Sequence, residues 1–255
     1  MDKAMTSEND FKLVPVRNDP RKRRAAVLVC LFEGQEGDLR VILTKRSMKL
    51  SSYPGDVALP GGKMDEHDVD DAATALREAR EEIGLNPELV EVVATLDPFF
   101  SQHLLTVVPV VGLLRNPEGF VPTLNADEVD FIFEAPLEMF LKDEKHRYEE
   151  REWKGWKYAL HIFDFGWNGE TFHISGLTAR VLIRVASIVY QRFPSFNTQV
   201  PDFHHLQELL KLVDPNSTNP IVHPNKRCLL RSSRILDIFA IPFWFSYFFR
   251  FDTLS

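Results

Sequence analysis

The stretch from Gly61 to Leu85, GGKMDEHDVDDAATALREAREEIGL, limits most severely how this chain can fold. Ala72 to Ile83 is built of good helix formers, and Gly84 stands where a helix stop belongs. On a helix, Glu78, Glu81 and Glu82 fall at i, i+3 and i+4, so three carboxylates share one face with Cβ atoms about 5–6 Å apart. Leu76, Ala79 and Ile83 fall on a different face that suits a core. Crowded carboxylates repel one another, and a purely structural helix gains nothing from them. A site for hard divalent cations, in contrast, needs oxygen ligands held close together.

A solvated acidic face is the competing reading, because Arg77 and Arg80 can pair with the glutamates across one turn. The context favours the site. Pro60-Gly61-Gly62 lies just upstream, where a glycine-permissive loop can aim backbone groups at a ligand, and the acidic loop Asp65-Glu66-His67-Asp68 follows. Gly62, an acid at Asp68 and then REAREEIGL resemble the Nudix box. That pattern is Gly, five residues, Glu, seven residues, then Arg-Glu-U-x-Glu-Glu-x-Gly-U, with U a bulky aliphatic. Here Asp68 replaces the first Glu, eight residues separate it from Arg77, and Ala79 is a small choice for U. These departures are found in the coenzyme A diphosphatase branch of the family. A second motif points the same way. Leu43, Thr44, Arg46, Ser47, Gly55, Val57, Pro60, Gly61 and Gly62 match the segment that precedes the box in that branch, with Leu59 in place of a Phe and Ile42 in place of a Leu.

The resemblance implies an α/β chain with the Nudix fold, a mixed β-sheet sandwiched between helices. It implies hydrolysis of a phosphoanhydride with Mg²⁺ or Mn²⁺ held mainly by Glu78, Glu81 and Glu82, with Gly62 offering a backbone carbonyl. Arg77 would orient the glutamates, and either a box glutamate or Glu128 would serve as base. Arg46, Lys45, Ser47, Gly61 and Gly62 are the candidate substrate contacts, Arg46 through its forked donor geometry. The implied substrate is coenzyme A or an acyl-CoA, cut to 3′,5′-ADP and (acyl-)4′-phosphopantetheine. NADH or ADP-ribose hydrolysis is the alternative within the family, and an idle nucleotide-binding domain the alternative outside catalysis.

The formal net charge of −7 over 255 residues argues against nucleic-acid partners and requires any phosphate site to use local cations or metal. Cys30 and Cys228 lie far apart and suggest neither a disulfide framework nor a zinc site. Acids at Asp2, Glu8 and Asp10, and a Thr253-Leu254-Ser255 end, lead to a cytoplasmic expectation.

Residues 1–24 read as a mobile arm whose Arg21-Lys22-Arg23-Arg24 run is a solvated flank rather than a phosphate site. Residues 25–200 read as the hydrolase domain. Within it, 25–33 and 39–47 read as a hairpin, and 89–100 and 104–114 as strands that Pro98 and Pro109 bound or edge. EVDFIFEAP follows as a strand after Glu128, and then a short helix from Pro136 to Leu141. Residues 151–165 read as a hairpin or long strand whose Trp153, Trp156 and Tyr158 suit a nucleobase or pantetheine pocket, or plain packing. A helix opens at Gly176. Residues 201–255 form an atypical tail. Its basic residues Lys226, Arg227, Arg231 and Arg234 precede ILDIFAIPFWFSYFFRF, a combination that suits a membrane surface, although packing on the domain or an end without a role is the preferred reading.

Overall fold

The computed structural model describes residues 23–101, 105–153 and 156–198. The arm before Arg23 and the tail after residue 198 lie outside the described residues, as do the side chains of Trp153 and Trp156.

The apolar run at the start of the domain forms β1 (Arg24–Glu33) and turns at Gly34–Asp38 into its antiparallel partner β2 (Leu39–Arg46), with Leu31 opposite Val41. Beyond Leu31 the two strands separate, and the chain from 57 to 63 fills the gap between them. β3 (Val57–Ala58) pairs with β2, whereas β4 (Gly61–Lys63) pairs with β1, and Leu28 N donates to Pro60 O between them. This wedge requires a glycine. A Cβ on Gly61, whose φ is +153°, would lie 2.3 Å from Ala26 O and 2.6 Å from Val27 Cα.

The helix α1 (Asp71–Ile83) starts at Asp70, whose side chain accepts from Ala73 N at 2.8 Å. It stops at Gly84 in the left-handed conformation, whose N–H returns to the last turn. Three further strands extend the sheet: β5 (Val90–Thr95), β6 (Phe99–Phe100) and β7 (Thr106–Leu114). β8 (Val129–Pro136) joins on the outer side of β2. The sheet is mixed, because β7 runs parallel to β1 while the other pairs are antiparallel. A 3-10 turn at Leu137–Leu141, where the sequence suggested a short helix, leads to a three-stranded meander of β9 (His146–Trp153), β10 (Trp156–Trp167) and β11 (Glu170–Ser175). The helix α2 (Gly176–Val189) completes the described elements.

Alternation along β1 assigns the two faces. Ala26, Leu28 and Cys30 pack with Ala75, Ala79 and Ile83 of α1. Val29 and Leu31 pack with Ala179, Leu182 and Val185 of α2 and with Phe163 of the meander. The small residue at position 79, fully buried, lets α1 lie close on the sheet, which is the physical reason for its departure from a bulky aliphatic.

Pro109 departs from expectation. It lies inside β7, an interior strand between β1 and β5, rather than at a strand boundary. Its carbonyl accepts from Leu96 N on the side where β5 has ended and β6 has not begun. Within a strand the N–H and C=O of one residue point to the same side, so the missing N–H falls where the partner strand is broken and costs no ladder bond.

Candidate active site

The site is assembled from the turn before α1 outward. Asp68 closes that turn and is 7% exposed. Its Oδ2 accepts from Asp65 N at 2.8 Å, Thr74 Oγ1 at 2.9 Å and Arg77 Nη2 at 2.9 Å, and its Oδ1 from Arg77 Nε at 3.0 Å. The guanidinium fork holds the Asp68 carboxyl down to about 2, and the same contact raises Arg77. Arg77 Nη2 also donates to Lys63 O at 3.0 Å, and Nη1 reaches Glu78 Oε1 at 2.9 Å and Glu81 Oε2 at 3.2 Å. Arg77 therefore ties the β4 backbone, the Asp68 turn and two glutamates of α1 into one cluster.

Glu82, on the next turn, is 6% exposed and accepts from Gly61 N at 3.1 Å. Burial lifts its carboxyl to about 7, and Glu78 and Glu128 push in the same direction while Gly61 N–H and Arg46 oppose them. Glu78 lies against the backbone of Gly62, where an added Cβ would sit 2.4 Å from its carboxylate. Burial raises Glu78, Arg77 opposes it, and Glu81 and Glu128 add to the rise. Glu81 is the most exposed of the three.

Glu128, 46 residues after Glu82, comes into the electrostatic field of Glu78 and Glu82 because its turn hangs from the end of α1. Asn125 N donates to Glu82 O at 2.9 Å and Thr123 N to Ile83 O at 3.0 Å. From the other side, Ser47 N donates to Glu128 O at 2.9 Å.

Arg46 and Lys45 part company by strand alternation. Arg46 is the cation that acts on Glu82, and it donates through Nη2 to Ser52 O at 3.3 Å while its Nε is buried without a partner. Lys45 lies on the α2 side, with Nζ 5.9 Å from the centre of the Phe172 ring. Ser47 is fully buried, and its Oγ donates to Ala126 O at 3.5 Å. The fold thus gathers Arg77, Glu78, Glu81, Glu82, Glu128, Arg46, Gly61 and Gly62 around one end of the sheet, with Lys45 on the far face and Ser47 beneath the turn. Three participants had no role in the sequence reading: Thr74, the Lys63 carbonyl and Asp130, whose carboxylate accepts from Met48 N at 3.1 Å. Arg24, expected as a solvated flank, instead holds Asp71 at the start of α1 with two bonds of 2.6 Å.

The donor set suits a hard divalent cation, since it consists of carboxylate oxygens whose burial and mutual repulsion disfavour their charged form until a cation compensates it. Among the described residues no three acidic, imidazole or thiolate groups already close on one point; Arg77 Nη1 holds Glu78 and Glu81. Among the described residues, too, no helix is long and apolar enough to cross a membrane.

A mixed sheet between helices, with a glutamate-lined helix laid against a Gly-Gly strand, defines a Nudix domain, and the model of that domain matches residues 22–156. The chain belongs to the Nudix hydrolase family. It is 57% identical over 196 residues to Nudix hydrolase 15, mitochondrial, of Arabidopsis thaliana, covering 76% of this chain and 69% of that one. It is 58% identical over 193 residues to Nudix hydrolase 22, chloroplastic, of the same plant, covering 76% and 63%. A third relative is peroxisomal coenzyme A diphosphatase NUDT7 of Mus musculus, 39% identical over 183 residues, covering 71% and 76%.

Proposed function

We propose that the protein hydrolyses the diphosphate of coenzyme A or an acyl-CoA, releasing 3′,5′-ADP and (acyl-)4′-phosphopantetheine. The observation that carries the reading is the wedge at 57–63. It brings the motif preceding the box against the box itself, with Gly61 N on Glu82 and Arg46 in the field of the same carboxylate. The likeness to a protein named as a coenzyme A diphosphatase supports the choice of substrate.

Glu78, Glu81, Glu82 and the Gly62 carbonyl would hold the metal. When bound, Mg²⁺ or Mn²⁺ neutralises charge on the diphosphate oxygens and polarises the phosphorus for attack. Arg77 positions Glu78 and Glu81 without touching substrate, because Asp68 fixes its guanidinium from behind. Arg46, the cation in the field of Glu82, offers its guanidinium end to a phosphate oxygen. Glu128 takes the proton of the attacking water. It stands outside α1 and lies in the electrostatic field of Glu78 and Glu82. Most of the rate enhancement then comes from charge compensation and in-line positioning.

The domain proposed for this chemistry is 25–200, with Arg24 added because it holds the start of α1, and with the tail after residue 200 dispensable. The cytoplasm is kept as the proposed compartment. The names of the three relatives give mitochondrial, chloroplastic and peroxisomal locations for those proteins, so fractionation against organelle markers is the test. The test of function is product analysis with coenzyme A, an acyl-CoA, NADH and ADP-ribose in parallel, with Mg²⁺ or Mn²⁺. Preferential release of 3′,5′-ADP from coenzyme A is expected. AMP released mainly from NADH or ADP-ribose would keep the chemistry and discard the substrate.

A further inference from the structure

The junction between β2 and β8 contains an irregularity next to the site. Lys45 pairs with Phe131, but Arg46 pairs with Val129, so Asp130 is an extra residue on β8. A β-bulge of this kind bends its strand and re-aims the neighbouring side chains. Here the bulge lies beside Arg46 on β2 and two residues after Glu128, which immediately precedes β8.

The bulged residue is itself bonded. Asp130 Oδ2 accepts from Met48 N at 3.1 Å, immediately after the pair Ser47 N to Glu128 O at 2.9 Å. Ser47 Oγ adds a bond to Ala126 O at 3.5 Å and accepts from Lys49 N at 3.4 Å. Lys49 Nζ reaches Asp127 Oδ1 at 2.9 Å, but both side chains are well exposed and the pair is worth little. On its other flank the turn hangs from Glu82 O through Asn125 N. The turn carrying Glu128 is therefore held by backbone bonds on two sides. The bulged residue itself adds a side-chain bond to this junction, from Met48 N to the exposed Asp130 carboxylate.

We propose that Asp130 is a positioning residue for Glu128: its bond to Met48 N locks the bulge and so fixes the Glu128 carboxylate relative to Arg46 and the glutamates of α1. This rests on the reading that Glu128 takes the proton from the attacking water. Asp130 does not touch substrate in this scheme. It acts through the turn, and removing it lets Glu128 drift from its aim.

The test is a double-mutant cycle on the full chain, following hydrolysis of coenzyme A with Mn²⁺, or of ADP-ribose if the substrate panel selects it. Asp130→Ala should lower kcat by about tenfold or more, since small misplacements of a proton-handling group carry costs of that order. The same substitution in a Glu128→Gln background should change kcat by less than about twofold, because the group it positions is already disabled. Asp130→Asn, which retains an acceptor oxygen for Met48 N, should restore most of the rate. Equal losses in the two backgrounds, or a wild-type kcat for Asp130→Ala, would overturn the proposal. Should Asp130→Ala fail to fold, Asp130→Glu, which displaces the acceptor by one methylene, goes through the same cycle. A wild-type rate for Glu128→Gln alone would refute the role of Glu128, a failure distinct from that of Asp130.

Discussion

Asp68→Asn tests how the site is held together. The substitution removes the charge under the Arg77 fork and one of the acceptor oxygens, while keeping the volume nearly constant. In the folded chain the Asp68 carboxyl lies at about 2 against an ordinary 3.8. Each pKa unit is worth about 1.4 kcal/mol, so the carboxylate contributes about 2 kcal/mol of stability at neutral pH. The carboxyl is depressed in the folded state, so this contribution is complete above about pH 4 and fades as the pH falls towards 2, with about half left at pH 3. Urea unfolding of the metal-free proteins should show the variant about 2 kcal/mol less stable at pH 7, with the gap narrowing below pH 4. Function should shift as well. Arg77, released from its fork, is free to pair more fully with Glu78 and Glu81, so more Mn²⁺ should be needed for half-maximal activity. A gap below about 0.5 kcal/mol at pH 7, or one that widens on acidification, would refute the view that Asp68 clamps Arg77.

Glu82 should behave in the opposite sense. Its carboxyl is raised to about 7 from 4.5, so the metal-free protein should lose stability as pH rises between about 5 and 7, and Glu82→Gln should lack that loss. The same variant should be inactive with its fold intact; activity near wild type would remove Glu82 from the metal site. The paired glycines separate fold from site. Gly61→Ala meets backbone at 2.3 Å and should destabilise by about 2 kcal/mol or more in thermal unfolding, whereas Gly62→Ala meets only the far end of the Glu78 side chain and should spare the fold while cutting kcat. Equal stability of the two variants would contradict the wedge geometry. Arg46→Ala should raise KM for coenzyme A more than it lowers kcat, and an unchanged KM would make Arg46 a strand-end charge.

What the sequence determined by itself is local and periodic. The shared face of Glu78, Glu81 and Glu82 and the core face through Ala79 and Ile83 follow from 3.6 residues per turn, and Gly84 marks the stop. The hairpin of β1 and β2 follows from an apolar run, a turn and an alternating strand. Strand alternation also separates Arg46 from Lys45, although only the packed faces say which side each serves. The tertiary structure decided what depends on closure of the chain over long separations. Asp68 could be read as the family's first acid, but its clamp on Arg77 requires a turn that no periodicity encodes. Glu128 gains its place from backbone bonds to Glu82 and Ser47, and any backbone amide or carbonyl can make such bonds whatever its side chain. Glu82 is chemically the same residue as Glu81. Its carboxyl is lifted and that of Glu81 remains open to solvent because the 57–63 wedge covers one and not the other, and burial is a property of the assembled fold.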